Sequence, residues 1–161
     1  MIISCYPGVG KSTIASKRID IIDLDSRLFN DDSVISVDFF KRYISVAKYL
    51  SKQGKIVLVS SHSDVRKQLL DSHDEKIAEI FPSEKLEDEW IERLRVRWET
   101  SGNKSDYHAY WRSKINYVED VKDMKNDFNK EKSCIWFRQS ELCDMDYDLE
   151  EVIEGLTYEC Q

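Results

Sequence analysis

Between residues 5 and 13 the chain reads Cys5-Tyr6-Pro7-Gly8-Val9-Gly10-Lys11-Ser12-Thr13, residue types suited to holding phosphate. The stretch follows G-x-x-x-x-G-K-[ST] except at its first position, where Cys5 stands for glycine. Glycines let successive backbone N–H groups turn toward one anion, a geometry that residues with side chains resist. A lysine after the last glycine reaches the outer phosphates of a nucleoside triphosphate, and the next hydroxyl ligates Mg²⁺. The spacing therefore predicts Gly8, Val9, Gly10, Lys11, Ser12 and Thr13 as an ATP-binding loop with Ser12 on the metal. An ordinary Gly-rich turn followed by a surface lysine is the plainer alternative. Cys5 sits at the strand-side edge of the motif, where a small side chain fits.

Three further groups bear chemistry. Asp23 and Asp25 close an apolar run, and period-two alternation sets both carboxylates on one face with Leu24 on the other. Beside a phosphate loop, one would hold the water shell of Mg²⁺ and the other would meet an acceptor. Taken singly, each is equally a helix cap or a solvated strand end. Ser60-Ser61-His62-Ser63-Asp64-Val65-Arg66 follows the strongest strand pattern in the chain. Arg66 suits bidentate phosphate binding and His62 a contact in the same crevice, against capping by Ser63 and a solvated Arg66. Arg93 and Arg97 are four apart and share a helix face, whereas Arg95 points elsewhere. They precede the polar stretch Thr100–Ser105, as lid residues that neutralise a transferring phosphoryl group would. Exposed salt bridges to Glu89, Glu92 and Glu99 are the competing role. Arg112 is a further candidate of the same kind. Trp90, Trp98, Tyr107, Tyr110, Trp111 and Tyr117 read as packing residues, with Tyr107, Trp111, Ile115 and Val118 on one buried helical stripe.

Five strands have to position these groups. Apolar runs occur at Ile2-Ile3, Ile19–Leu24, Lys55–Ser60, Ile77–Phe81 and Ser133–Arg138. Helical periodicity fills the gaps, after Gly10 and over Asp38–Leu50, Ser63–Leu70, Glu84–Glu99, Asp106–Met124 and Leu149–Leu156. Strands alternating with helices imply a mainly parallel sheet covered on both faces, with ligands beyond the strands' carboxyl ends. Each polar group above falls at such an end.

Composition narrows the classes further. The 161 residues suit one domain with a real core, and five Gly with two Pro argue against a disordered chain. A net charge of −7 disfavours a broad nucleic-acid surface but leaves room for a local cationic pocket. The last 21 residues carry eight acids and no Lys or Arg, which disfavours a polyanion there too. No run suits a membrane span, and Cys5, Cys134, Cys143 and Cys160 show no metal-ligand spacing, so free thiols in the cytoplasm are expected.

The ordered set of these motifs, with Phe81-Pro82 and Glu92-Arg93 between them, resembles the small adenylate-kinase-like P-loop nucleoside monophosphate kinases common in phages and Firmicutes. The likeness runs from residue 2 to about 138. It implies a three-layer α/β/α P-loop kinase fold with a five-stranded, mainly parallel sheet, a single domain over 1–161 and a helical lid at about 84–124. It implies transfer of the γ-phosphoryl group of ATP, with Mg²⁺, to a nucleoside or deoxynucleoside monophosphate in the cytoplasm (a host's, if phage-encoded). Lys11, Asp25, Arg93 and Arg97 are then catalytic, and Asp23, Asp25, His62, Arg66 and Arg93 hold the acceptor. Asp23 or Asp25 would meet the metal through water. The chain departs from adenylate kinases in lacking D-G-[FY]-P-R, with Ser60-Ser61-His62 in its place, and in having Arg97-Trp98 for the usual Arg-Gly. A small-alcohol kinase with Asp25 as base, or a nucleotide-binding module without chemistry, are the alternatives.

Overall fold

The computed structural model describes residues 1–29 and 37–158; Cys160 lies outside them. Among the described residues, five strands form one parallel sheet: β1 (Ile2–Cys5), β2 (Ile21–Asp23), β3 (Ile56–Ser60), β4 (Lys76–Pro82) and β5 (Trp136–Leu142). Their spatial order is β2-β3-β1-β4-β5. The helices are α1 (Lys11–Lys17), α2 (Val37–Lys52), α3 (Ser63–Leu70), α4 (Glu87–Ser101), α5 (Lys104–Asn126) and α6 (Leu149–Tyr158).

Period-two alternation sorts the strand residues into two layers of core. Ile3, Cys5, Leu58, Ala78 and Ile80 face α1, α4, α5 and α6, where they meet Ile14, Trp90, Leu94, Tyr117 and Ile153. Ile2, Val57, Val59 and Ile77 face the other way, against Tyr43, Ile44 and Ala47 of α2 and Val65 and Leu69 of α3. This is why β1 and β3 are mostly apolar, apart from Ser4 and the terminal Ser60: both faces are covered. Each fully buried Ile, Val or Leu contributes about 1.5–3 kcal/mol. The result is the three-layer α/β/α architecture that the alternation of elements predicts.

The central strands also determine where a ligand can sit. β1 and β3 are neighbours, yet α1 after β1 packs on one face of the sheet and α3 after β3 on the other. A crevice opens where connections diverge in this way, beyond the carboxyl ends of the two strands.

Several local expectations need correction. β5 starts at Trp136 rather than Ser133, because the Ser133 and Cys134 N–H groups donate to Leu70 O at 2.9 and 3.0 Å, at the end of α3. β2 omits Ile19, which is 92% exposed in the turn that Arg18 closes with Ile21. The stretch Thr100–Ser105 is no open loop. Only Gly102 and Asn103 separate α4 from α5, with Asn103 Oδ1 accepting from Asp106 N at 2.8 Å. The buried stripe of α5 is Asp106, Tyr110, Ser113, Tyr117, Val121 and Met124. Tyr107, Trp111 and Ile115 lie one residue around the helix from it and face outward, Ile115 being 73% exposed. Two aromatic stripes of similar spacing compete here; Trp98 touches both, and the buried one is the stripe whose Ser113 and Tyr117 meet Tyr6 and Ser83. Asn116 also leaves helical geometry (φ −128°, ψ 17°), which breaks the phase.

Candidate functional site

β1 carries the chain to the loop in extended form. Cys5 is still paired with Ser60 on one side and Ile80 on the other, so this position needs none of glycine's freedom. Burial pushes its thiol up to about 12, against the pull of Lys11, and it stays neutral. The left-handed freedom is needed at Gly8 (φ +91°) and Gly10 (φ +100°). A Cβ on Gly8 would also come within 3.1 Å of Leu94 Cδ2 and Trp90 Nε1. Gly10 then opens α1, which begins at Lys11.

A cleft of about 450 Å³ lies at the carboxyl ends of β1, β2 and β3. Its walls include Gly8, Val9, Gly10, Lys11 and Ser12 from the loop, Asp23, Asp25 and Arg27 after β2, and Ser60, Ser61 and His62 after β3. Thr13 lies further into α1, off the cleft wall. Both aspartates thus face the loop. Partial burial raises the Asp23 carboxyl above its ordinary value, and the Lys11 charge opposes this. Asp25 moves the other way, because Arg27 donates to it from Nε at 2.9 and 2.7 Å and from its backbone N at 2.9 Å.

Tyr43 of α2 joins the two strand ends that carry these residues. Its buried hydroxyl donates to Leu24 O at 2.8 Å and accepts from Ser60 N at 3.0 Å. Tyr43→Phe leaves a buried carbonyl and a part-buried N–H without this partner. It is expected to cost about 1–3 kcal/mol in urea unfolding, with no change in helix content by circular dichroism.

The arginines divide by where α4 crosses the loop. The helix meets Gly8 at the level of Trp90 and Leu94. Arg97, one turn on, lines the cleft and lies 2.5 Å from Asp106 Oδ1. Arg93 does not line it. Its guanidinium lies behind the loop, donating to Gly8 O at 3.4 Å, Tyr147 Oη at 2.8 Å and Met145 O at 3.2 Å. Sharing a helix face with Arg97 did not suffice, because one helical turn separates the back of the loop from the cleft. Arg95 pairs with Glu92 and Glu99 at the surface.

Arg66 touches the cleft floor but is otherwise engaged. It is 4% exposed, donates to Asp127 Oδ2 at 2.7 Å and Ser61 O at 2.6 Å, and pairs with Asp123. Glu79 lies 3.6 Å away, equally buried. Arg66 therefore holds the Ser61 backbone rather than offering a free fork. His62 precedes α3 as its N-cap, a place expected of Ser63, and its side chain makes no cap bond. It is exposed at the rim, yet the walls around it, Arg112 and Lys11 lower its pKa, so at neutral pH it is mainly uncharged.

The sequence did not single out Arg27, Ser105, His108 or Asp120, all on the cleft wall. Arg27 donates across the mouth to Ser105 Oγ at 3.1 Å. Arg112 holds Asp120 at 2.9 and 3.0 Å and joins the same wall. The i, i+2 spacing of Asp25 and Arg27 was an available signal; the residues from α5 needed the tertiary fold.

The residues present fit a divalent ion held mainly by phosphates and water. Among the described residues no cluster of three or more His, Cys, Asp or Glu could cage one. Ser12 and the raised carboxyl of Asp23 line the cleft, and Ser60 Oγ is buried on its wall without a hydrogen-bond partner. That oxygen set is too sparse to form a dedicated protein cage for a divalent ion.

What the fold and cleft define is a class: an α/β/α domain with a parallel sheet, of the generic P-loop or Rossmann-like kind and compatible with nucleotide binding. No family model matches this sequence, and neither does any curated protein. Among the described residues no helix is long and apolar enough to cross a membrane.

Proposed function

We propose that the protein transfers the γ-phosphoryl group of ATP, with Mg²⁺, to a nucleoside or deoxynucleoside monophosphate. The observation that carries this reading is the convergence, in one cleft, of the Gly8–Ser12 loop, two aspartates and the guanidinium groups of Arg27, Arg97 and Arg112. Lys11 would neutralise the transferring group, with Ser12 on the metal and Asp23 or Asp25 reaching it through water. Arg97 would add charge from the α4–α5 hairpin. His62 and Asp23 would face the acceptor. Arg66 and Arg93 would act indirectly, the first through Ser61 and the second through the loop.

The state of Asp25 favours a phosphate acceptor over an alcohol. An alcohol needs a general base, and a carboxylate bound to Arg27 through both oxygens, with its pKa held down, is a poor one. A monophosphate, with a second pKa of about 6, is already mostly dianionic at neutral pH and needs only alignment and charge neutralisation. The free thiols Cys5, Cys134 and Cys143 suit a reducing cytoplasm.

The test is ATP turnover with Mg²⁺ over a panel of ribo- and deoxynucleoside monophosphates. Strong stimulation by one of them is expected and identifies the acceptor. ATP binding without stimulation by any member would overturn the kinase reading in favour of a nucleotide-binding module. Stimulation only by small alcohols would replace the acceptor class.

A further inference from the structure

Three successive carbonyls of the loop are each held by a side chain on the side away from the cleft. Trp90 Nε1 donates to Pro7 O at 2.8 Å, Arg93 Nη1 to Gly8 O at 3.4 Å and Tyr147 Oη to Val9 O at 2.9 Å. These donors also bind one another. Arg93 Nη1 donates to Tyr147 Oη at 2.8 Å, and its guanidinium lies 4.8 Å from the Trp90 ring centre and 5.4 Å from that of Tyr147. The two rings run nearly parallel, 17° apart with centres separated by 6.0 Å. Trp90 is fully buried, so the assembly is anchored in the core.

A trans peptide is planar, so a carbonyl and the N–H that follows it point in opposite directions. Pulling Pro7, Gly8 and Val9 O backward therefore turns the N–H groups of Gly8, Val9 and Gly10 the other way. Val9 N–H closes a long 3.4 Å turn onto Tyr6 O. Gly8 and Gly10 line the cleft, and by the same planarity their amides, which make no backbone hydrogen bond among the described residues, point opposite to the held carbonyls. Two glycines with positive φ make this loop flexible by composition, and the three donors restrain it from behind.

We propose that Trp90, Arg93 and Tyr147 form a positioning clamp that presets the loop amides for the phosphates of a nucleoside triphosphate, an inference that rests on the phosphate-loop reading above. A preset loop needs no reorganisation when the anion arrives. The clamp joins α4 to the segment between β5 and α6, so it also makes the chain after β5 part of triphosphate binding. None of the three touches substrate; they act through the loop backbone.

Calorimetric titration with MgATP tests this on the whole chain, using Tyr147→Phe, Arg93→Met and Arg93→Lys. Tyr147→Phe keeps the ring and removes only the hydroxyl that serves Val9 O and Arg93. Loss of a hydrogen bond of this kind is expected to weaken ATP binding about tenfold, as is Arg93→Met. Arg93→Lys should recover part of the loss, since an ammonium can still reach Gly8 O. The KM for the monophosphate should stay within about twofold and melting temperatures within a few degrees, which separates positioning from general destabilisation. ATP affinity unchanged in both Tyr147→Phe and Arg93→Met would overturn the clamp while leaving the phosphate loop intact. So would a fall in ATP affinity matched by equal losses in acceptor KM and melting temperature. A wild-type chain that binds neither ATP nor inorganic pyrophosphate would overturn the loop reading itself, and the clamp with it.

Discussion

Lys11→Ala is expected to lower phosphoryl transfer by roughly two to three orders of magnitude, the scale for removing one preorganised group that stabilises transition-state charge. Lys11 begins α1 on the cleft wall, and its charge acts on Asp23, Asp25 and His62. Fold should be spared, because the side chain is only partly buried and belongs to neither core layer. Steady-state kinetics with the preferred monophosphate, beside a melting curve, separate the two effects. Lys11→Arg should not restore the rate, since a planar fork cannot replace a compact ammonium in a loop of this size. Turnover that survives Lys11→Ala would move the chemistry out of this loop. The alanine variant should also shift the Asp23 carboxyl further up, because Lys11 is the strongest of the charges, with Arg97 and Arg27, that oppose its desolvation.

The largest effect on stability is expected at Arg66. Its guanidinium is buried with Asp127 and Glu79, each about 1% exposed, so Arg66→Met takes the cation from Glu79 and leaves Asp127 with Lys130 alone. Breaking a buried pair in this way costs about 3–5 kcal/mol. For a chain of this length that is a fall on the order of 10 °C in unfolding midpoint. The same cluster makes wild-type stability depend on pH. Burial, and then the Asp127 charge, push the Glu79 carboxyl up to about 8, well above its value in the unfolded chain. Its contribution is therefore fully present below the ordinary carboxylate range and is lost as pH rises toward and through about 8. Urea unfolding at several pH values between 5 and 9 should show this decline, and Glu79→Gln should flatten it. A wild-type profile that rises steadily with pH over this window would contradict the assignment. Asp20 and Asp25 act in the opposite sense: their arginine partners hold them down, so their contribution is lost only as pH falls below the ordinary carboxylate range.

Arg66 also shows where residue-level inference stops. An arginine after a strand end is chemically right for a phosphate, and it does touch the cleft. Its role depends on Asp127, 61 residues further on, and on Glu79 from β4, two strands away from β3. Arg93 repeats the lesson, with Tyr147 lying 54 residues away. Helical spacing placed it beside Arg97, but only the height at which α4 crosses Gly8 puts the two on different sides of the loop.

Features that rest on short-range backbone chemistry and periodicity are legible from residue order. Gly8, Gly10 and Lys11 are legible because turn chemistry operates within nine residues. The layered sheet is legible because strands covered on both faces are rich in apolar residues, as Ile2–Cys5 and Ile56–Ser60 are apart from Ser4 and Ser60. Asp23 and Asp25 both line the cleft, although β2 ends at Asp23 and Leu24 lines it too. Which stripe of α5 is buried rests on packing, because two stripes one residue apart carry similar aromatics and contacts with Tyr6 and Ser83 distinguish them. Packing decided the partners of the arginines too. A guanidinium on a long, flexible stem takes whichever carboxylate, carbonyl or ring the packed core brings within about 3 Å, and that proximity is a property of packing, not of order along the chain.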